Sequence, residues 1–254
     1  MSSFVLRAVV ALSALLYISA FSLTVSKKVR TRYVNILWVS ANVINLVIVV
    51  NNYVVNGYVP FVSMYQVLTV LAFTFPIVYL YMRYVRSESL VKPYFMLLQS
   101  VVMIGVFFMD QNSVWAFPPA LQSVFFVPHV FSYMLSYTMV AAASVMAVQN
   151  LFKKDTDLEK GIYSLSVTAY PFMISGMLLG SLWANECWGE YWQWDAKENW
   201  SLLTLLALTL YLHMRREKKL SKYAGYFVII SFVFLIITMF FVGYMSGSSN
   251  HSYS

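Results

Sequence analysis

Trp183-Ala-Asn-Glu-Cys-Trp-Gly-Glu-Tyr-Trp-Gln-Trp-Asp-Ala-Lys-Glu-Asn-Trp200 is a tryptophan-rich segment that separates two apolar runs, residues 162–183 and 200–214. Apolar runs of about twenty residues cross a hydrocarbon core of about 30 Å as α-helices. Neither run shows the alternation of apolar and polar residues that marks a barrel strand, so their backbone groups must pair within helices. The segment therefore predicts two transmembrane helices whose connection lies at one face of a membrane.

The composition of the whole chain agrees with this interpretation. Of its 254 residues, 60% are hydrophobic and only 11% are charged, whereas about a quarter are charged in soluble domains. We predict an all-α integral membrane protein, with residues 1–254 forming a single polytopic domain and residues 1–60 its N-terminal helices. The eight predicted spans are 4–25, 34–55, 63–84, 93–109, 129–151, 162–183, 200–214 and 224–245.

The positions of lysine and arginine predict the orientation. The first span has only Arg7 before it and four positive charges after it, at residues 27–32, which predicts a retained helix with its N-terminus outside. With eight crossings, all of the 17 lysines and arginines except Arg7 and Lys197 fall on the inner side. Both termini and the tryptophan-rich segment are thus predicted to be non-cytoplasmic. The basic residues lie in short connections, which indicates orientation and not a nucleic-acid surface.

Two further features limit what this chain can be. The single cysteine, Cys187, excludes a disulfide within the chain, a multi-cysteine zinc site and a CxxCH haem-attachment site. The chain is therefore not itself a c-type cytochrome. In the outer connection 110–128, residues 119–127 carry few charges and predict a short helix lying in the membrane interface.

The chain has only three histidines, His129, His213 and His251. The predicted topology places His129 and His251 on the outer side and His213 near the inner end of the seventh span. Neutral imidazole is a good axial ligand for haem iron, and bis-histidine ligation needs two of them. Two haem positions would then require one further inner ligand, from another chain.

Each histidine also has a simpler interpretation. His129 can be an interfacial anchor after Pro128, and His251 a solvated residue of a polar tail. His213 lies beside Arg215 and can extend to the interface in the same way. The histidines taken singly leave these alternatives open.

Five of the seven tryptophans lie in residues 183–200. Tryptophan gathers at membrane interfaces, but the interleaved Gly189, Asp195 and Glu198 favour a surface for a large planar ligand. Asp195 and Glu198 also have the spacing of a capping box at the start of the seventh helix. Lys197, the one basic residue here, could pair with a haem propionate.

The pattern Trp188-Gly-x-x-Trp-x-Trp-Asp-x-x-Glu-x-Trp200 resembles the signature of the haem-handling membrane proteins of cytochrome c maturation, and among these the CcsA (ResC) family of System II. The segment Tyr211-Leu-His-Met-Arg215 resembles that family's membrane histidine, and His251-Ser-Tyr253 its C-terminal external one. The run from Leu121 to Tyr133 resembles the segment with the first external histidine. The resemblance covers roughly residues 60–254.

This resemblance implies a specific function. Haem b, bound non-covalently and in transit, would cross the membrane and be presented to the CxxCH site of apocytochrome c. The chain would be one component of a cytochrome c synthase complex, with a CcsB/ResB partner supplying a further histidine. It would lie in the bacterial cytoplasmic membrane with its tryptophan-rich segment on the periplasmic or outer side.

The resemblance also assigns residues. His129 and His251 would be the outer axial ligands, and His213 half of an inner site, all within a haem-handling region at residues 61–254. The expected haem contacts are Trp188, Gly189, Trp192, Trp194, Asp195, Glu198 and Trp200. Two alternatives stay open: a System I type of haem handler that loads a haem chaperone, and a transporter of another planar aromatic such as a quinone.

Overall fold

The computed structural model describes residues 3–88, 90–111 and 117–242, so His251 and the polar tail lie outside the described residues. The described residues form helices and no strands, which confirms the all-α prediction. The helices are α1 (Ser3–Ser26), α2 (Thr31–Asn56), α3 (Met64–Tyr84), α4 (Lys92–Phe108), α5 (Phe126–Lys153), α6 (Thr156–Trp188), α7 (Ala196–Met214) and α8 (Ser221–Ile236). A π-helical turn, Ile237–Phe241, follows α8.

Most of these helices have the length and hydropathy of membrane spans. In the described part of the chain, six are long and apolar enough to cross a membrane: α1, α2, α3, α5, α6 and α8 with its π-helical turn. Helix α4 is apolar but has only 17 residues, and α7 begins with a polar turn. The protein is therefore a multi-pass membrane protein, while the count of eight spans stays a prediction.

The chain divides into two compact units between Pro118 and Pro119. The first contains α1 to α4, and the second contains a 3-10 turn (Pro119–Gln122) and α5 to α8. All described residues of the tryptophan-rich segment, together with His129 and His213, belong to the second unit. The functional division at residue 60 stays a prediction.

A buried glutamine connects three helices of the first unit. The Nε2 of Gln99 in α4 donates to Asn42 Oδ1 in α2 at 2.9 Å and to the Ala72 carbonyl in α3 at 3.0 Å. Its Oε1 accepts a 2.6 Å hydrogen bond from Trp38 Nε1. In a lipid environment such polar groups must be satisfied inside the protein, and here they satisfy one another.

Replacing Gln99 by methionine, which has a similar volume, should therefore destabilise the protein. The change leaves the buried Trp38 indole N–H without its acceptor, and a stranded buried group costs about 1–3 kcal/mol, whereas Asn42 Oδ1 keeps its hydrogen bond from the Tyr17 hydroxyl. We expect the free energy of unfolding in detergent micelles to fall by about 2 kcal/mol. Val101→Met, at an exposed position of the same helix, is the control, and equal stability of the two variants would contradict the prediction.

The ends of α5 and α6 differ from their predicted positions. Helix α5 begins at Phe126, three residues before the predicted start, because Pro128 falls in the first turn, where no backbone N–H is needed. The interfacial helix predicted over 119–127 is therefore wrong in extent: only Pro119–Gln122 forms a 3-10 turn, and the following residues lead into α5.

Helix α6 is longer than the apolar run that predicted it. It has 33 residues, Thr156–Trp188, which at 1.5 Å per residue is about 50 Å. A hydrocarbon core is about 30 Å thick, so the helix continues beyond the apolar run at both ends. Its C-terminal turns carry the first residues of the tryptophan-rich segment.

Candidate functional site

The tryptophan-rich segment is mostly helical. The predicted outer loop from residue 183 to 200 is therefore too long, because residues 183–188 complete α6 and α7 begins at Ala196. Gly189 ends α6 in the left-handed conformation, with φ +79° and its N–H donating to the Asn185 carbonyl at 2.9 Å. Glycine adopts this conformation without steric cost. The connection itself is only residues 189–195.

A capping box fixes the start of α7, as the sequence predicts. Asp195 Oδ1 accepts from the Glu198 backbone N–H at 2.8 Å. Glu198 Oε2 in turn accepts from the Asp195 N–H at 3.3 Å and from the Gln193 N–H at 2.8 Å. Both carboxylates thus hold the backbone of the connection, and their predicted haem contacts would be additional to that role.

Removing the cap should lower stability because a hydrogen-bond acceptor is lost, and loss of the negative charge alone should have little effect. Asp195→Ala deletes the acceptor for the Glu198 N–H, and we expect it to lower the free energy of unfolding by about 1 kcal/mol. Asp195→Asn keeps an equally good cap and should leave stability nearly unchanged. Thermal unfolding in micelles measures both variants. Equal losses in the two variants would show that the charge matters and the cap does not.

Trp194 has a backbone conformation that is unusual for a tryptophan. Its φ is +57°, a left-handed conformation that costs about 1–2 kcal/mol for residues other than glycine. The Trp194 carbonyl accepts from Asn199 Nδ2 at 2.7 Å, and the side chain is 68% exposed. The Trp192 ring lies nearly perpendicular to it, at 6.0 Å between centroids. Strain of this kind is concentrated at functional sites.

Trp183 is the centre of the packing behind this connection. It is 2% exposed, and its indole N–H donates to the Ala120 carbonyl of the 3-10 turn at 2.7 Å. Its ring stacks on His129, with 5.6 Å between centroids and 29° between planes. It also contacts Phe126 at 5.1 Å and Trp188 at 5.0 Å. One side chain thus joins the 3-10 turn, the start of α5 and the end of α6.

His129 is held against the backbone of α6. Its Nδ1 lies 2.7 Å from the Gly176 carbonyl oxygen, which can only accept, so Nδ1 carries the proton and the neutral ring has its lone pair on Nε2. The Tyr133 ring meets the imidazole edge-on at 5.1 Å. A histidine that binds a metal is commonly oriented in this way, by a carbonyl on its other nitrogen.

His213 lies at the opposite end of the second unit, and its ring hydrogen bond stays within its own helix. Its Nδ1 lies 2.9 Å from the Thr209 carbonyl, and its side chain is exposed. It is 17 residues beyond the start of α7, or about 25 Å along the helix. Nearby, Arg215 donates to the Glu159 carbonyl at 3.1 Å and its guanidinium lies 4.6 Å from the Tyr163 ring centroid.

Lys197 places a positive charge in the first turn of α7. This turn lies at the end of the second unit that also contains His129. Partial burial lowers the pKa of its ammonium group, and the neighbouring Asp195 carboxylate raises it in part. A carboxylate of a ligand bound at this end would complement that charge.

The side chains present fit a haem better than a bare metal ion. Among the described residues, no group of three or more histidine, cysteine or acidic side chains could hold a metal ion. A haem needs only axial ligands from the protein; His129 offers an imidazole held between α5 and α6, and His213 offers an exposed one. Near His129, the partly exposed rings of Tyr133 and Trp188 provide apolar surface for a planar ligand, and the buried Trp183 packs behind the imidazole.

Sequence reasoning did not identify every residue that organises this site. It placed Trp183 at the edge of the segment, without a role for Ala120, Tyr133 or Gly176. A signal was present in Gly176 and Gly180, because small residues four positions apart on a membrane helix indicate a close approach by a neighbouring helix. That neighbour is α5.

The chain is similar to known proteins over most of its length. The family described as "Cytochrome C assembly protein" matches residues 2–248, which extends the resemblance to the N-terminal helices. The CcsA protein of Chlamydomonas reinhardtii is 31% identical over 225 residues, covering 78% of this chain. The CcsA protein of Phaseolus vulgaris is 25% identical, over 81% of each chain. This chain spans 62% of the length of the Chlamydomonas relative.

A solved structure shares the fold. The structure titled "Cytochrome c Heme Lyase CcmF" superposes with a TM-score of 0.71 over 94% of this chain, at 16% sequence identity. This chain covers 47% of that protein, and the similarity concerns the fold alone. With the family match running over nearly its whole length, the chain belongs to the CcsA family of cytochrome c assembly proteins.

Proposed function

We propose that this protein carries haem b across the membrane and presents it to apocytochrome c for covalent attachment, as a System II component acting with a CcsB/ResB-type partner. The main support is the geometry of His129. Its Nδ1 is held by the Gly176 carbonyl and its ring is stacked on Trp183, beside the tryptophan-rich segment. An imidazole oriented in this way is prepared to bind iron through Nε2.

In this proposal, His129 and His251 bind the iron of the outer haem, and His213 binds the inner haem with a histidine of the partner. The haem platform comprises Trp188, Gly189, Trp192, Trp194, Asp195, Glu198 and Trp200. Each thioether forms when a cysteine S–H of apocytochrome c adds across a haem vinyl double bond, with no leaving group. The protein's part is to hold and orient haem, while the reactivity belongs to the haem itself. The chain would thus be one part of a synthase complex.

The proposed topology has eight spans, both termini outside, and a single polytopic domain over residues 1–254 in the bacterial cytoplasmic membrane. The tryptophan-rich segment then faces the periplasm or the outer side. The positions of the 17 lysines and arginines support this orientation.

The native single cysteine makes this topology straightforward to test. In a Cys187→Ser background, Glu190→Cys and Lys218→Cys each introduce one exposed thiol, at opposite ends of the second unit. We expect a membrane-impermeant maleimide added to intact spheroplasts to label Glu190→Cys, and to label Lys218→Cys only after permeabilisation. The reverse pattern would invert the proposed orientation, and labelling of both thiols in intact spheroplasts would contradict the span count.

The proposed function is tested by co-expressing the chain with a CcsB-type partner and a reporter apocytochrome c. We expect the purified complex to show a bis-histidine, low-spin haem spectrum and the reporter to gain covalent haem. A haem chaperone that co-purifies in place of a CcsB-like chain would support the System I alternative. Activity that survives the simultaneous loss of His129, His213 and His251 would support transport of another planar aromatic, such as a quinone.

A further inference from the structure

We infer that Gly180 in α6 is a positioning residue for His129. The missing side chain at position 180 is what allows the imidazole to lie against α6 and reach the Gly176 carbonyl. The inference deepens the proposed function, because it concerns how the outer iron ligand is held. The contact itself exists whether or not His129 binds iron.

The His129 ring lies very close to the backbone of α6 at Gly180. A Cβ atom at position 180 would lie 2.5 Å from His129 Cε1 and 2.6 Å from Nδ1, but 3.5 Å from Nε2. The first two distances are shorter than real Cβ contacts allow. The ring therefore meets α6 with its Nδ1–Cε1 edge, and Nε2 is the ring nitrogen farther from α6.

The imidazole has little freedom to avoid an added methyl group. Trp183 stacks on one face at 5.6 Å between centroids, and Tyr133 meets the ring edge-on at 5.1 Å. The hydrogen bond from Nδ1–H to the Gly176 carbonyl holds the ring edge that faces α6. An alanine at position 180 must therefore displace the ring or push α5 and α6 apart.

Backbone conformation does not explain this glycine. The described glycines with positive φ are Gly57 and Gly189, so Gly180 has ordinary helical geometry. In a helix interior, glycine is less favourable than alanine by about 1 kcal/mol. Gly225 in α8 has the same disadvantage but nothing within 4 Å of an added Cβ. Gly225→Ala is thus a matched control that gains helix propensity without a clash.

The chemical consequence concerns the tautomer. While Nδ1 donates to the Gly176 carbonyl, the proton stays on Nδ1 and the lone pair needed for iron is on Nε2. Displacing the ring breaks that hydrogen bond and leaves the tautomer unspecified. Gly180→Ala should then weaken iron binding at His129 although it changes no ligand.

The first test needs no haem. The chain has three histidines, so ¹⁵N-histidine NMR of the haem-free protein in micelles gives three pairs of ring-nitrogen signals, Nδ1 and Nε2, with the His129 pair assigned by its loss in His129→Ala. We expect the Nδ1–H tautomer for His129 in the wild type and in Gly225→Ala. We expect Gly180→Ala to lose that signature. An unchanged His129 signal in Gly180→Ala would overturn the inference.

The second test uses the complex with its partner. We expect Gly180→Ala to lower the low-spin outer haem signal about tenfold, in the range for lost supporting contacts of a metal ligand, with Gly225→Ala at wild-type level. Because Gly180 acts through His129, adding Gly180→Ala to His129→Ala should cause no further loss. A further loss would show that Gly180 acts on something else.

Two outcomes separate this inference from the proposed function. If His129→Ala kept the outer haem, the proposed ligand would be wrong, but the tautomer experiment would still decide the Gly180 contact. If Gly180→Ala failed to fold, the double variant His129→Ala/Gly180→Ala would decide: recovery of folding would confirm the clash, and continued misfolding would overturn it.

Discussion

His129→Ala is expected to remove the outer haem and to reduce cytochrome c maturation by roughly tenfold or more, the scale seen when even a supporting contact of a metal ligand is lost. The substitution deletes the imidazole that the Gly176 carbonyl and the Trp183 ring hold in one orientation. The fold should survive, because Trp183 keeps its hydrogen bond to the Ala120 carbonyl. Haem staining of a co-expressed reporter cytochrome c measures maturation, and the absorption spectrum of the purified complex measures bound haem.

Two controls show whether the loss is specific. Ser132→Ala, one turn further along α5, tests for a general effect of substitution in this helix and should retain full maturation. His213→Ala changes a histidine at the opposite end of the second unit, and we expect it to lower inner haem first. Full maturation in a double variant lacking His129 and His251 would refute the outer ligand assignment.

The helices could be predicted from hydropathy because lipid requires continuous apolar runs with internally paired backbones. Each predicted span corresponds to a helix, and the start of α7 was predicted correctly because Asp195 and Glu198 are a local capping signal. The end of α6 was predicted too early. The apolar run ends before the polar residues Asn185 and Glu186, yet the helix continues until Gly189 ends it.

The candidate site was predicted only in part, because its contacts are distant in sequence. The residues Trp183 and Ala120 are 63 positions apart, and His129 and Gly176 are 47 apart. No local pattern relates such pairs, since they meet only when α5 packs on α6. Composition therefore indicated the aromatic segment but could not separate its buried tryptophan, Trp183, from its exposed one, Trp194.

That distinction leads to a prediction about two tryptophans of one segment. Trp183→Ala should lower the free energy of unfolding by about 3 kcal/mol, the cost of a large cavity in a packed interior. It also removes the donor to the Ala120 carbonyl and the ring that stacks on His129. Trp183→Phe keeps much of the ring and loses mainly the hydrogen bond, so we expect a loss of about 1 kcal/mol.

Trp194→Ala should leave stability nearly unchanged and instead reduce cytochrome c maturation. Its side chain is 68% exposed, and exposed substitutions usually change stability by less than about 0.5 kcal/mol. If the indole is part of the haem platform, maturation should nevertheless fall several-fold while the unfolding transition stays in place. Chemical unfolding in micelles and reporter maturation, measured on the same preparations, give both values. A stable Trp194→Ala variant with normal maturation would exclude Trp194 from the proposed haem platform.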